Sequence, residues 1–348
     1  MNNKVRLGVA AILLVLAWHP LAAQDAIPET SGFSGFVLAG VARFDVGSNL
    51  IVRGTPILND VGDTQIASIF DAPSSNSSPG VFASGEVNYT FSSTRTQLFF
   101  GNRLEDLLRL DLVFGLGVRQ EIKGAGIVAV SVLMTPAELT FWADPYVEGE
   151  DRQPTDLNFP GVRLRWGEIF GTGLELTVTD RFYRFDDESS GDWLVSESRL
   201  DPADQPLLGR DGDILRVQAL YRFDVKKRHR FEPAVRWIND SHDGAALANT
   251  GSSLRLTYIY RSPKVVLDAN VIYGSREAKE INPIYGTLLE ADRWAAGLTA
   301  FIPVKRFNSN VLSVSLGAEV FREDANIDFY DSSIDMVFAG VLWRHIKK

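Results

Sequence analysis

The stretch "GEVNYTFSS", residues 85 to 93, sets Val87, Tyr89 and Phe91 on one side of an extended chain and Glu86, Asn88 and Thr90 on the other. Successive side chains of a strand point to opposite faces. In a soluble sandwich the apolar side would be the core, whereas in a membrane barrel it would face lipid. The rest of the chain decides between these readings.

The same period recurs. Val81, Ala83 and Gly85 extend the apolar face, opposite Ser84. Leu215, Val217, Ala219, Tyr221 and Phe223 oppose Arg216, Gln218 and Arg222, and Leu254, Leu256, Tyr258 and Tyr260 oppose Arg255, Thr257 and Arg261. Alternation of this length marks half-exposed strands, and its recurrence marks one continuous antiparallel sheet. Similar stretches lie at about 34–44, 95–103, 108–121, 126–134, 161–169, 174–185, 230–239, 264–275, 293–303, 310–322 and 333–345. Together they predict about 14 strands. Twelve is the alternative count, because 34–44, 95–103, 126–134 and 333–345 alternate poorly.

Connections along the chain sort into two kinds. "SST", "KGAG", "GTG", "VKKRH", "SP" and "VKRFNS" are short, and the links at about 45–79, 135–160, 186–212, 240–252, 276–292 and 323–332 are long. Only the link near 104–107 breaks the order. Short turns at one end and long loops at the other are a property of outer-membrane barrels with periplasmic termini. Aromatic residues follow the same division: Tyr89, Phe91, Trp166, Tyr221, Phe223, Tyr258 and Tyr260 fall near short turns, and Trp237, Tyr273 and Trp294 near long loops. Two interfacial girdles would place them so, whereas core filler would sit in mid-strand. Val87, Tyr89 and Phe91 are therefore expected to face lipid, and Glu86, Asn88 and Thr90 the lumen.

The first residues agree with export. Lys4 and Arg6 precede an apolar run from Leu7 to Trp18 and then "HPLAAQDA". This is the pattern of a secretory signal, residues 1–23, cleaved after Ala23. A spanning anchor would need about 20 apolar residues. No later apolar run is long enough for a membrane helix; "GIVAVSVLM" at 126–134 is the longest of note. The chain has no cysteine, so neither disulfides nor thiolate metal sites are available to it. Its hydrophobic residues make up 45%, yet its mean hydropathy is −0.02, as expected where lumen-facing polar residues dilute lipid-facing apolar ones. The fold class expected for residues 24–348 is all-β: a transmembrane antiparallel up-and-down β-barrel of an outer membrane, with long extracellular loops.

On this register Arg109, Arg119, Arg163, Arg165, Arg216, Arg222, Arg230, Arg236, Arg255, Arg261 and Arg293 take lumen parity, with Glu86, Asp111, Glu121, Glu175, Glu232, Asp268 and Glu319. An Arg or Lys facing lipid at the midplane would cost roughly 2–4 kcal/mol. These charges need water or partners. One reading is a polar pore whose arginines attract anionic solutes; the other is an ion-pair network that props and closes the barrel. Fourteen strands give a backbone diameter of roughly 28 Å, more than lining side chains alone would fill. The long loops are acidic, with net charge −5 over 135–160 and −6 over 186–212. Folded inward, Glu148, Glu150 and Asp151 would form a constriction against the arginines. The alternative is a solvated surface loop.

Several loop stretches resemble a known family. "QLFFGNRLEDL" (97–107), "TFWADPYVEGEDRQPTD" (140–156), "NPIYGTLLEAD" (282–292) and "NIDFYDSSID" (326–335) are similar to segments of the domain of unknown function 2860 family. The resemblance runs over nearly all of the mature chain. It implies an outer-membrane location in a Gram-negative envelope and no known activity. Many outer-membrane barrels end on an aromatic residue, whereas this chain ends "VLWRHIKK", with Trp343 in that role and a basic tail beyond.

Other chemistry finds little support. "DANIDF" has Asp324, Asn326 and Asp328 at the first three spacings of a calcium loop, but Phe329 where the turn needs glycine and no glutamate at the twelfth position. His19 leaves with the signal, and His229, His242 and His345 remain. Outer-membrane phospholipases place a catalytic His two residues before a Ser, but His242 is followed by Asp243 and Gly244, with Ser252 further on. No metal, cofactor, catalytic residue or enzyme activity is expected, and the net charge of −9 argues against nucleic acid. The expected partners are outer-membrane lipid and lipopolysaccharide, the barrel-assembly machinery and small hydrophilic solutes. The expected function is passive passage of such solutes, anions among them. A closed barrel serving as surface receptor or structural protein is the second reading, and a membrane-embedded hydrolase the third.

Overall fold

The computed structural model describes residues 26–53, 60–103, 113–135 and 139–345. The signal sequence, the 104–107 link, Arg109, Asp111 and Glu138 lie outside them. In chain order the strands are β1 (Gly32–Gly47), β2 (Ile51–Arg53), β3 (Ser75–Phe91), β4 (Thr96–Gly101), β5 (Phe114–Ile122), β6 (Gly126–Met134), β7 (Leu139–Trp142), β8 (Pro154–Asn158), β9 (Gly161–Gly167), β10 (Leu174–Phe185), β11 (Gly212–Tyr221), β12 (Phe223–Val225), β13 (His229–His242), β14 (Asn249–Arg261), β15 (Val266–Asn282), β16 (Thr287–Phe307), β17 (Asn310–Ala325) and β18 (Ser332–His345). Successive wall strands pair antiparallel, and β18 returns to β1 with Gly35 opposite His345. β11 and β12 form one wall strand interrupted at Arg222, so the closed barrel has 14 strands. β2, β7 and β8 lie outside the wall and pair with one another above it.

The faces follow the alternation. Val81, Val87 and Phe91 are exposed on the outside, and Ser84, Asn88 and Thr90 are buried within. Near the short turns Tyr89 meets Phe33 and Phe91 edge-on at 4.9 Å, and Phe231 meets Phe223 at 5.5 Å and Tyr258 at 5.1 Å. Towards the loops Trp237, Tyr273 and Trp294 are exposed, with Tyr273 opposite Trp294.

The poorly alternating strands have a physical reason. β1, β18 and β6 are apolar on both faces. Inward, Leu38, Ala42, Phe338 and Leu342 pack with Phe301 and with the half-buried Phe36, Phe44, Phe82, Val266 and Met336. Rings on this part of the wall lie over glycines of neighbouring strands. A Cβ on Gly317 would stand 2.3 Å from the Phe338 ring, and one on Gly40 2.9 Å from that of Phe82. Only glycine leaves those seats open.

Several boundaries differ from expectation: β3 begins at Ser75 and β14 at Asn249, and β2, β7 and β8 lie in stretches expected as long loops. The turn placed at 304–309 is tighter: β16 runs to Phe307, opposite Asn310, and its register with β17 shifts between Pro303 and Lys305. Proline has no N–H to give the ladder, so a bulge there keeps the strand going. The link at 276–292 is mostly a continued hairpin, with Asn282 opposite Thr287. β4 is shorter than the 9–11 residues a spanning strand needs. It pairs with β3 only from Glu86 to Phe91, so among the described residues the far edge of β3 from Ser75 to Ser84 has no strand partner. The chain turns off at Gly101, whose φ is 131°.

Candidate functional site

Inward parity places the predicted charges as follows. Arg119, Arg165, Glu175, Arg230, Glu232, Arg255, Asp268 and Glu319 are buried in the barrel interior, and Glu86, Glu121, Arg163, Arg216, Arg222, Arg236, Arg261 and Arg293 are partly buried there. Many are joined. Arg119 donates to Glu86 at 2.7 Å, to Gln97 at 2.8 Å and to Asn88 at 3.0 Å, and its guanidinium stacks 4.2 Å over Phe99. Glu175 accepts from Arg165 at 3.3 Å and from Arg222 at 3.0 Å, and Arg222 also reaches Glu232 at 3.3 Å. Arg230 pairs with Asp224 at 2.8 Å, and Glu121 pairs with Arg95. Arg236 and Arg255 share the Gln218 side-chain oxygen at 3.0 and 3.4 Å. Arg163 donates to Thr179 at 3.1 Å.

Arg276 and Glu323 join this interior set: Arg276 donates to Glu323 at 2.6 Å, and Arg293 pairs with the same carboxylate. Sequence reasoning missed both, because their strands run on into stretches read as loops. Their alternation with outward-facing Ser275, Glu277, Asp292 and Asp324 is polar on both sides, which hides the period.

By strand order the charged wall from β9 to β14 stands opposite the apolar wall of β18, β1 and β3. Strands seven places apart in a ring of 14 face each other across the lumen.

Above the long-loop end a cap closes over the mouth. Ile69, Tyr146, Leu194, Leu200, Leu208, Leu247, Leu289, Ile327, Phe329 and Tyr330 form one hydrophobic core. Ile69 belongs to the loop after β1 and Leu208 to the loop after β10, on opposite sides of the ring, so the core bridges the opening. The Tyr146 and Tyr330 hydroxyls are 2.8 Å apart, and Asn282 donates to Tyr330 at 2.9 Å. Tyr285 donates to the Ile69 carbonyl at 2.7 Å. Burial, reinforced for Tyr146 and Tyr285 by the neighbouring Tyr330, raises the pKa of Tyr146 and of Tyr285; burial alone pushes Tyr330 up to about 12.

Buried charges tie the loops together. Asp144 accepts from the backbone N–H of Tyr146, Gly191 and Trp193 at 3.0, 3.1 and 2.9 Å. Burial nevertheless raises its pKa. Arg210 donates to the Trp142 carbonyl at 2.8 Å, to that of Ala143 at 2.7 Å and to Glu188 at 2.8 Å. Arg152 donates to the Asn49 carbonyl at 2.8 Å and stacks 4.5 Å from Trp142. In the sequence Arg152 and Arg210 enter only through the net charges of the loops 135–160 and 186–212, and nothing in their neighbourhood signals burial.

The constriction expected of Glu148, Glu150 and Asp151 does not form against the lumen arginines. Glu148 pairs with Arg199 and accepts from the Ile69 N–H at 2.7 Å, which lowers its pKa. Asp151 accepts from Gln65 at 2.8 Å, and Glu150 is exposed. The cap's own partners satisfy the loop before it can turn inward. In "DANIDF", Asn326 is engaged with Glu290 at 2.9 Å and Leu288 at 2.8 Å, and the described residues hold no cluster of three metal-ligating side chains. His242 lies 2.6 Å from the Arg210 carbonyl and 3.2 Å from Asp240, while Ser252 stands opposite Trp237.

Three of the four stretches that carry the family resemblance meet in the cap, through Tyr146, Asn282 and Tyr330. A profile of the family described as "Protein of unknown function (DUF2860)" matches residues 32–344, nearly the whole chain. The chain belongs to this family. DUF2860 thus covers barrel and cap together. No curated protein matches the chain. Solved structures similar to it include a loop-deletion mutant of OmpT, an outer membrane protein of Vibrio cholerae, at 10% identity and TM-score 0.39, covering 90% of this chain and 99% of that one. A FadL homologue of Pseudomonas aeruginosa is similar at 10% identity and TM-score 0.38, covering 90% of each. An outer membrane channel from Pseudomonas putida F1 has 10% identity and TM-score 0.38, covering 94% and 100%. The likeness is one of barrel architecture.

Proposed function

We propose that the protein is an outer-membrane barrel that passes small hydrophilic solutes, anions among them, down their gradient, and that the cap controls entry at the extracellular end. The short turns and both termini lie in the periplasm on this reading, and no catalytic step takes part. The observation that carries it is the inward wall of arginines, a polar lining that a lipid-facing surface would not tolerate. A cap that bridges the mouth supports gating rather than a permanently open pore.

The same cap favours the second reading, a closed barrel whose folded loops are a surface receptor or structural element. Planar-bilayer recordings separate the two when the wild type is compared with Phe329→Ala, which removes the centre of the cap core. Passage predicts low or intermittent conductance for the wild type, sustained openings for the variant and a reversal potential favouring anions in a salt gradient. Silence from both proteins, each folded, would overturn passage and leave the receptor reading.

A further inference from the structure

The cations at the short-turn end are placed differently from those of the lumen. Of the six lysines among the described residues, five stand in or beside short turns, and only Lys279 lies towards the long loops. Lys123 is in the β5–β6 turn and Lys264 in the β14–β15 turn; Lys226, Lys227 and Arg228 make up the β12–β13 turn, and Lys305 and Arg306 close β16. All seven side chains are exposed, and none is in an ion pair among the described residues. Two acids at the same end are already held, Glu121 by Arg95 and Asp224 by Arg230.

Turn geometry does not explain these lysines. Lys226 and Lys227 both lie in the left-handed region, with φ of 52° and 58°, a conformation that glycine or asparagine adopts with less strain. Three adjacent cations also repel one another until an anion joins them. Apolar and aromatic groups border the same charges. Phe170, Val225 and Phe307 are exposed at this end. Lys305 lies 5.8 Å from the Phe307 ring and stands opposite Leu312, which is in turn opposite the outward Trp343. The His229 ring, next in the chain to Arg228, is 5.3 Å from that of Tyr260. Cations along an aromatic girdle suit lipid headgroups, with the rings in the interface and the charged ends on phosphate. A soluble acidic partner would use the charges and leave the rings unused.

We propose that the short-turn rim binds anionic phospholipids of the periplasmic leaflet. Their phosphates sit on Lys226, Lys227 and Arg228 and on Lys305 and Arg306, and their chains lie against the adjoining girdle. The proposal rests on the reading that puts the short turns in the periplasm. It does not rest on passage, so silent bilayers leave it standing.

Native mass spectrometry of the folded protein in neutral detergent tests this, with phosphatidylglycerol and phosphatidylcholine of the same chains added at equal concentration. Phosphatidylglycerol should be retained about tenfold more tightly at low salt, and the preference should shrink as ionic strength rises. Changing Lys226→Gln, Lys227→Gln and Arg228→Gln together should lower that preference about fivefold, and adding Lys305→Gln and Arg306→Gln should remove the rest. Lys279→Gln, at the opposite end, should leave it unchanged. Heat-modifiable mobility on gels reports that each variant is folded. Equal retention of the two lipids by the wild type overturns the proposal and leaves an acidic protein as the partner of the rim; a preference that survives in the folded five-site variant overturns it as well. A membrane-impermeant amine reagent that labels Lys226 on intact cells would overturn the periplasmic placement, and with it the leaflet named here, without altering the detergent result, so the two failures are told apart.

Discussion

The barrel wall and the cap above it are built from the same residue types turned in opposite directions. In the wall, Val87, Tyr89 and Leu254 face out to lipid while Arg119, Glu175 and Thr257 face in. In the cap, Leu208, Tyr146 and Phe329 face in, and Glu150 and Asp151 face out to water. The solvent decides which arrangement is stable: lipid leaves no gain in burying leucine from it, and water does. One chain therefore carries a membrane protein and a water-facing minidomain joined strand by strand, and the two should fail separately.

The largest separation should come from Phe329→Ala. Phe329 is fully buried, and removing such a ring costs about 3–5 kcal/mol. Limited proteolysis should then nick residues 186–211 while the barrel keeps its heat-modifiable mobility. Loss of that mobility would mean that wall and cap are one cooperative unit. Arg210→Ala should be nearly as damaging to the cap, by about 2–4 kcal/mol, because it strands Glu188 and two buried carbonyls; protease protection reports it.

Alkali should open the cap alone. Unfolded tyrosine loses its proton near pH 10, whereas Tyr330 holds its proton to about 12 and Tyr146 and Tyr285 are shifted the same way. The open form then binds fewer protons, so cap stability falls as pH rises above 10. Tyrosinate absorbance rising together with protease sensitivity, at unchanged strand content by circular dichroism, is the expected result. Acid acts through Glu148 with the opposite sense: its folded pKa is lowered by Arg199, so that stability is lost only as pH falls below the ordinary glutamate value. Glu148→Gln should accordingly loosen the cap and leave ion selectivity unchanged.

The smallest effect sharpens the wall side. Gly317→Ala pushes a methyl into the seat of the Phe338 ring, and such overpacking costs about 1–3 kcal/mol. Phe338→Leu in the same chain should recover part of it. A urea midpoint for the barrel, with cap protection unchanged, checks both.

Legibility divides along the same line. Every wall strand lay under a stretch the sequence marked out, because a half-exposed strand writes its period locally. β1 and β18 alternated poorly only because they are apolar on both faces. The cap wrote nothing local: Ile69, Leu208 and Phe329 come from three separate loops, and only their meeting shows that they are core. Acidic loops around them suggested a solvated surface or a constriction, and neither period nor charge distinguishes the buried Arg210 from an exposed one. The interior charges were legible as parity, whereas their pairing was not, since Glu175 with Arg222 or Arg276 with Glu323 depends on neighbours distant in sequence.

The seam between β1 and β18 joins the beginning of the described chain to its end, with Gly35 opposite His345. The polypeptide is interrupted there but the sheet is not. Joining the two ends with a short linker and cutting instead at a tight turn such as Ser262 would give a circular permutant with the same ring of hydrogen bonds. Removing β18 would give no smaller barrel, only an open sheet whose first strand lacks a neighbour. The ring can close only after nearly all of the described chain is in place, because the strands that close it stand at opposite ends of that chain.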